Sequence, residues 1–174
     1  DKLAATLAEF DQTGASVPVK TGGGTGTSLF DMERGLLTEL QTGSYVFMDS
    51  RYSGIGWPGS NASPFDQSLH ILTSVVSKPM PDRVIVDAGL KSVSNDHGPP
   101  VIADSDGRTY EFGGDEHGII RMTNGDDIPW NVGDKLRLIP SHCDTTVNLY
   151  DQYMVVRGDD VVDVWQVDTR GRVQ

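Results

Sequence analysis

The sequence predicts a mainly β protein preceded by a short α/β segment, and three observations support this. Residues 1–38 follow a helix, strand, glycine-rich loop, helix order. From about Gly43 onward, short apolar or alternating runs are separated by turn residues, which is typical of an all-β domain. The length of 174 residues, 37% of them hydrophobic, suits one ordinary domain and a fragment of a second. We therefore expect the chain to begin inside an α/β domain and to end in a β domain.

The amino-terminal segment contains the elements of one parallel α/β unit. Apolar side chains in residues 3–10 recur near helical spacing, and residues 17–20 form a short apolar run that predicts a strand. A glycine-rich loop follows at residues 21–27, and Ser28 with Asp31 has the spacing of a helix-capping pair. A single parallel strand needs neighbours on both sides, so this unit is expected to be part of a larger sheet.

The remaining sequence predicts many short strands arranged as a barrel or a sandwich. Turn residues separate the strands, and two pairs of strands are predicted to form hairpins, around Asp106-Gly107 and around residues 158–160. A long loop is predicted over residues 53–64, which are rich in Gly, Ser and Pro. The predicted strands are residues 45–48, 69–76, 83–87, 101–103, 109–112, 118–122, 135–139, 150–156 and 161–167.

The charge balance excludes several classes of partner. Lys and Arg total 14 and Asp and Glu total 25, which leaves a net charge of −11. Binding to a nucleic acid or to an anionic membrane surface would need clustered Lys and Arg side chains, and the sequence has no obvious basic cluster. No apolar run approaches the roughly 18 residues of a membrane span, and the first residues lack the basic-then-apolar order of a secretion signal, so we expect a soluble chain. With a single cysteine, Cys143, an internal disulfide is impossible, so the cytoplasm is the expected location.

The glycine-rich loop at residues 21–27 has the composition of an anion-binding loop. Consecutive glycines before a helix allow several backbone N–H groups to approach one phosphate closely. The loop lacks the Lys-Ser/Thr ending of a nucleotide P-loop and the spacing of a dinucleotide-binding motif. A cofactor phosphate held by the last loops of a (β/α) barrel fits the pattern better. A glycine-rich turn without a ligand is the alternative.

A second candidate site lies in the segment from Pro140 to Asp144. If this segment is extended, His142 and Asp144 share one face and Cys143 points to the other. An imidazole and a carboxylate on one face are suitable ligands for Mn²⁺ or Zn²⁺. The alternative is a hydrogen-bonded pair at a barrel rim. A shift of register would instead expose Cys143 and favour Zn²⁺.

The other titratable residues point less clearly to a site. The acidic and His cluster at residues 115–118 could add ligands, or it could be a solvated loop before a strand. His70 is expected to pack within a strand, and His97 to lie in a turn, with no partner at useful spacing for either. Asp87 is expected to be structural. Lys91 could form a Schiff base only if burial lowered its pKa.

Five strings occur in this order along the sequence: residues 21–27 (TGGGTGT), 39–49 (ELQTGSYVFMD), 86–91 (VDAGLK), 116–118 (EHG) and 140–151 (PSHCDTTVNLYD). Together they resemble the carboxy-terminal half of the D-threonine aldolases. These enzymes are related to the D-serine dehydratases and D-threo-3-hydroxyaspartate dehydratases, within the alanine-racemase-like pyridoxal-phosphate enzymes. The resemblance covers essentially the whole chain.

The resemblance implies a fold in which an incomplete (β/α)₈ barrel precedes a β domain. Residues 1–38 correspond to the last helix–strand–helix piece of a barrel that holds pyridoxal phosphate, and residues 39–174 to a β-barrel-like domain that carries the metal site. Gly23, Gly24 and Thr25 match the phosphate-binding segment of the family. The active site would lie between the two domains, close to a dimer interface.

The resemblance also implies a metal site and a reaction. His142 and Asp144 match the metal ligands of the aldolases, with Mn²⁺ favoured and Zn²⁺ or Mg²⁺ as alternatives. The dehydratases typically have Cys at the second position, so Asp144 favours an aldolase, and Cys143 lies one residue away from the dehydratase pattern. The reaction is cleavage of a D-3-hydroxy amino acid into glycine and an aldehyde.

The family's catalytic lysine, which forms the Schiff base, lies near the start of the barrel and is not in this chain. Activity is therefore expected only together with an amino-terminal barrel half, and the complete enzyme is expected to be a homodimer. Two other functions remain open from the sequence. One is dehydration of a D-3-hydroxy amino acid such as D-serine or D-threo-3-hydroxyaspartate, and the other is a non-catalytic β module.

Overall fold

The computed structural model describes residues 2–60 and 62–172, and these residues form two compact units. The first unit comprises the chain up to Met48 together with Tyr52–Asp66. The second comprises Asp49–Arg51 and the chain from Gln67 onward. Strand is the main regular structure, as predicted. No helix among the described residues is long and apolar enough to cross a membrane.

The first unit contains short elements around the glycine-rich loop. The predicted first helix is confirmed, and it ends just before Gly14, whose positive φ of 73° ends the helical turn. In chain order the elements are α1 Lys2–Thr13, β1 Thr21–Gly22, a 3₁₀ turn Thr25–Thr27, α2 Ser28–Arg34, β2 Glu39–Leu40 and a 3₁₀ turn Ser44–Val46. The helix predicted to begin at Ser28 is also confirmed.

Two strands predicted in this part of the chain are wrong. Backbone pairing with the second parallel strand starts only at Lys20, which accepts from the N–H groups of Thr38 and Glu39. Residues 17–19 therefore form no strand, because they have no neighbouring strand to bond. Residues 45 and 46 instead lie in the 3₁₀ turn Ser44–Val46, and the carbonyl of Ser44 accepts from the N–H groups of Phe47 and Met48 just after it. These local hydrogen bonds take the place of hydrogen bonds to a neighbouring strand.

The second unit is built on a six-stranded antiparallel sheet, which follows the short helix α3 Ser50–Ser53 in the chain. The strands are β3 Ile71–Met80, β4 Arg83–Val86, β5 Val101–Ile102, β6 Arg108–Phe112, β7 Gly118–Met122 and β8 Lys135–Ile139. They pair in the order β5-β8-β3-β4-β7-β6. The edge strands β5 and β6 lie close to each other, so the sheet is nearly closed into the predicted barrel-like form.

The barrel-like sheet surrounds an aliphatic core. Alternate residues of β4 and β8 are buried, as the period of two in a strand requires. Tyr110 extends into this core from β6, and its buried hydroxyl donates to the carbonyl of Ala88 at 2.6 Å. Burial raises the pKa of Tyr110 to about 12. The fully buried core side chains include Val75, Val84, Val86, Val93, Ile120 and Leu138.

One predicted hairpin is wrong and the other is confirmed. The strands on either side of Asp106-Gly107 do not pair, because β5 bonds to β8 and β6 bonds to β7. The turn is instead tied to the β7 side, where the N–H and hydroxyl of Thr123 donate to the carbonyl of Gly107. The second hairpin forms as predicted from β9 Gln152–Arg157 and β10 Asp160–Gln166.

The β9–β10 hairpin forms a sheet of its own with an exposed apolar face. Met154 pairs with Val164, and Val156 pairs with Val161, so these four side chains lie on the same face. Their exposed fractions are 60%, 43%, 61% and 59% in that order. Two-stranded hairpins are marginally stable in water, and contiguous exposed apolar side chains are typical of an interaction surface.

Candidate metal centre and glycine-rich loop

The segment that carries His142 follows β8 and enters a short helix, α4, over Cys143–Val147. The extended conformation predicted through Asp144 is wrong beyond His142, which is the last extended residue (φ −144°, ψ 125°). The helix starts here because the carboxylate of Asp49 accepts from the N–H of Cys143 at 3.0 Å. Both residues are completely buried. A side chain more than 90 residues earlier in the sequence thus caps the helix.

The helical turn still brings the two predicted metal ligands together. Nε2 of His142 lies 3.7 Å from Oδ2 of Asp144. Two ligand atoms about 2.1 Å from one ion are separated by about 3.0 to 3.4 Å, so a small adjustment would allow both to bind it. Cys143 is buried and its thiol donates to the other oxygen of Asp144 at 3.1 Å, which excludes the register that exposes Cys143. Metal binding by this pair remains a prediction.

Asp96 lies on the opposite side of the imidazole. Its Oδ2 is 2.6 Å from Nδ1 of His142, and the side chains are 33% and 21% exposed. Partial burial by itself raises the pKa of Asp96, but hydrogen bonds from His142, Ser94 and Thr145 outweigh it and lower the pKa to about 2. The carboxylate therefore favours a proton on Nδ1, which leaves the lone pair of Nε2 directed away from Asp96.

His97 lies beside this pair, although the sequence offered no partner for it. Its ring is 4.7 Å from the ring of His142, and Nη1 of Arg51 lies 2.6 Å from its Nδ1 and 2.5 Å from its Nε2. Among the described residues, Asp96, His97 and His142 form a group whose ligand atoms all lie within 4.8 Å of one another. The permanent charge of Arg51 beside His97 opposes a cation there, so His142 and Asp144 are the better donors.

The remaining sequence candidates lie outside this cluster. Lys91 pairs with Glu116 at 2.5 Å in an exposed ion pair. The hydrogen bond that Lys91 donates to this carboxylate raises the pKa of Lys91, whereas a Schiff-base lysine needs a lowered pKa. His70 precedes β3, where burial lowers its pKa. Asp87 is structural as expected, since its Oδ1 accepts from the hydroxyl of Thr73 at 2.6 Å.

The glycine-rich loop has one closed side and one open side. Gly23 has a φ of 71°, and a Cβ there would lie 2.4 Å from Oδ2 of Asp31, so only glycine fits. A Cβ on Gly24 would meet nothing within 4 Å. Thr25 is buried, and its hydroxyl oxygen accepts from the N–H of Tyr45 at 3.1 Å. The side chain of Thr25 therefore holds the loop in place.

This geometry is compatible with a phosphate on the open side of the loop. Gly24 is extended and precedes the 3₁₀ turn, so the first N–H groups of that turn have no partner within it. A phosphate would bind these backbone donors beside Gly24, since Asp31 fills the space on the other side of Gly23. The N–H of Gly24 itself is already bonded to Thr27 Oγ1 at 3.2 Å.

Comparisons of the sequence identify a family and two kinds of aldolase. Residues 68–156 match the family described as "Putative serine dehydratase domain". The D-threonine aldolase of Arthrobacter sp. is 47% identical over 171 residues, which are 98% of this chain and 44% of that protein. The 3-hydroxy-D-aspartate aldolase of Paracoccus denitrificans is 42% identical over 155 residues, which are 87% of this chain and 39% of that protein. The chain thus spans less than half the length of these relatives.

Comparisons of the fold agree. The crystal structure of D-threonine aldolase from Filomicrobium marinum superposes with a TM-score of 0.90 at 35% identity, over 99% of this chain and 47% of that one. A cysteine-to-alanine variant of D-threo-3-hydroxyaspartate dehydratase, in its metal-free form, superposes with a TM-score of 0.74 at 25% identity, over 90% of this chain and 46% of that one. The chain belongs to the serine dehydratase domain family, and in sequence and fold it is similar to the D-threonine aldolases.

Proposed function

We propose that this chain is the carboxy-terminal portion of a D-threonine aldolase that depends on pyridoxal phosphate and a divalent metal. In this proposal residues 1–38 are the terminal part of the cofactor-binding barrel, and residues 39–174 are the β domain with the metal site. The 47% identity to D-threonine aldolase over 98% of the chain supports the proposal. The substrate is a D-3-hydroxy amino acid, and the products are glycine and an aldehyde.

The observation that carries this proposal is the approach of Nε2 of His142 to Oδ2 of Asp144, at 3.7 Å. An imidazole nitrogen and a carboxylate oxygen suit Mn²⁺, with Zn²⁺ or Mg²⁺ as alternatives. A metal bound by this pair supplies Lewis-acid polarisation of the substrate's 3-hydroxyl. Asp144 is 67% exposed in its side chain, so a substrate oxygen can reach the same position. A solved relative, a dehydratase variant, is described in a metal-free form, which supports a metal site in related proteins.

The chain would contribute orientation and charge, and the cofactor, when bound, would supply the electron sink of the reaction. His142 directs Nε2 toward Asp144, because Asp96 accepts the proton on the other ring nitrogen. Asp144 adds a negative charge that lowers the cost of bringing a cation to this position. The backbone donors next to Gly24 would hold the cofactor phosphate, with Gly23 and Thr25 shaping the loop.

The proposal requires an amino-terminal barrel half as a partner, since the relatives are about twice as long as this chain. The exposed apolar face of the β9–β10 hairpin supports such a partner, because Met154, Val156, Val161 and Val164 are left uncovered. We further propose that the complete enzyme is a homodimer. Sedimentation of the assembled enzyme would measure its mass, and a single copy of each half would contradict this part.

The test combines this chain with a barrel half and assays D-threonine. Cleavage should produce glycine and acetaldehyde in equal amounts. The variant His142→Ala should lose turnover while the cofactor absorbance remains, and the control His117→Ala, in an exposed loop outside the cluster, should keep turnover. Full activity of His142→Ala would refute the metal role. Stable association without any turnover would favour a non-catalytic β module.

A second function, dehydration, is favoured by the family description, which names a serine dehydratase. The same assembly would then release ammonia and a 2-oxo acid in place of glycine and an aldehyde. Asp144 argues against dehydration, because the dehydratases that this sequence resembles typically have Cys at that position. Assaying D-threonine, D-serine and D-3-hydroxyaspartate for ammonia and for glycine would separate the two reactions.

A further inference from the structure

We propose that Asp96 is a positioning residue, which sets the tautomer and the orientation of His142 so that Nε2 faces Asp144. This inference deepens the proposed function and rests on it for the metal. Its basis is the 2.6 Å hydrogen bond between Nδ1 of His142 and Oδ2 of Asp96. Metal-binding histidines almost always donate their second N–H to such an acceptor, which fixes the ring and raises its basicity.

The segment that carries Asp96 is clamped to the segment that carries His142. Two bonds flank the pair, one from the N–H of Ser94 to the hydroxyl oxygen of Thr146 at 3.3 Å and one from the hydroxyl of Ser141 to the carbonyl of Gly98 at 2.7 Å. Thr146 and Ser141 are both buried. The loop over residues 94–98 is therefore held at both ends against the start of α4, and Asp96 lies between the two bonds.

The alternative, in which Asp96 is itself a metal ligand, conflicts with its contacts. Oδ2 is occupied by the imidazole, and Oδ1 accepts from the hydroxyl of Ser94 at 2.9 Å. Direct coordination would compete with these bonds for the lone pairs of the carboxylate. It would also bring the metal to the Nδ1 side of His142, away from Asp144. The geometry therefore assigns Asp96 to orienting the ligand.

The first test reads the tautomer of His142 in the whole chain without metal. Nitrogen-15 NMR should show the proton of the neutral ring on Nδ1 in the unchanged protein. Asp96→Ala should move it toward Nε2, the tautomer preferred by a free imidazole. Asp96→Asn, whose amide oxygen can still accept, should retain the Nδ1–H form at least in part. The proposal is overturned if the unchanged protein carries the proton on Nε2, whatever the outcome of metal binding.

The second test reads the affinity for Mn²⁺ and the spectrum of bound Co²⁺. Asp96→Ala should weaken Mn²⁺ binding by about 10- to 100-fold, the usual effect of removing an outer partner. Asp96→Asn should weaken it less. The visible bands of Co²⁺ should keep their positions in both variants, because the ligands themselves are unchanged. Shifted bands would show that Asp96 is a ligand, and unchanged affinity in Asp96→Ala would show that it has no positioning role; either result overturns the proposal.

The matched control is Asp104→Ala. Asp104 is an exposed aspartate that pairs with Arg137 at the sheet surface. The Asp104→Ala variant should leave the affinity for Mn²⁺ and the tautomer of His142 unchanged. If no form of the protein binds Mn²⁺, the proposed function fails on the metal, while the tautomer measurement still decides the role of Asp96.

Discussion

Replacing Asp49 with alanine should destabilise the protein and disturb the candidate metal centre together. The carboxylate is completely buried and accepts from the N–H of the equally buried Cys143 at 3.0 Å, where α4 begins. A buried hydrogen bond to a charged acceptor contributes about 1.5 to 3 kcal/mol, and the small cavity adds to the loss. We expect the free energy of unfolding to fall by about 2 to 4 kcal/mol in Asp49→Ala and by about 1 to 2 kcal/mol in the isosteric Asp49→Asn.

Urea unfolding followed by circular dichroism measures this change, with Mn²⁺ titration of the folded fraction as a second readout. The affinity for Mn²⁺ should fall in Asp49→Ala, because His142 precedes the residue that Asp49 anchors. Asp104→Ala is the control for removing an aspartate, and it should cost about 1 kcal/mol, because its ion pair is exposed and alanine is less favourable than aspartate at its φ of 55°. If Asp49→Ala were no less stable than Asp104→Ala, the capping argument would be refuted.

Three further predictions follow from the core and the site. Because burial raises the pKa of Tyr110 to about 12, its stabilising effect should be present below pH 10 and be lost between about pH 10 and 12. Tyr110→Phe should reduce the alkaline loss of stability in urea unfolding, to which the partly buried Tyr150 also contributes, and Tyr45→Phe, at an exposed ring, should not. Gly118→Ala should lower the thermal midpoint, because its Cβ would lie 2.3 Å from the Tyr110 ring, whereas Gly56→Ala meets nothing within 4 Å. Equal midpoints would refute this. Asp144→Cys should raise the preference for Zn²⁺ over Mn²⁺ in competitive titration, since a thiolate is a softer ligand, and an unchanged ratio would argue against Asp144 as a ligand.

Elements with a strong local pattern could be predicted well. The first helix, the strand Lys135–Ile139 and the hairpin at residues 158–160 each have a clear period or turn, and the structure contains them. The errors fell on elements whose bonds are made elsewhere in the chain. Residues 101–103 were predicted to pair with residues 109–112, but β5 instead bonds to β8, more than 30 residues further along. Turn chemistry does not reveal such a partner.

The candidate site divides in the same way. The spacing of two residues made His142 and Asp144 a pair, and the resemblance to the aldolases strengthened that interpretation. The sequence showed no link to Asp96, His97 or Arg51, because the first two lie 46 and 45 residues before His142 and Arg51 lies 46 before His97. The only local signal for this cluster was His97 in a predicted turn, and a histidine in a turn is common in ordinary loops.

The amino-acid sequence by itself determined the class of fold, the acidic surface and the candidate ligands, because these depend on composition and on contacts between near neighbours in the chain. The tertiary structure alone decided that α4 begins at Cys143, since the acceptor that starts it is Asp49. It also decided which ring nitrogen of His142 faces Asp144, because Asp96 is hydrogen-bonded to the other one. Hydrogen bonds between residues far apart in the chain depend on how the strands and loops pack, and packing is a property of the whole fold.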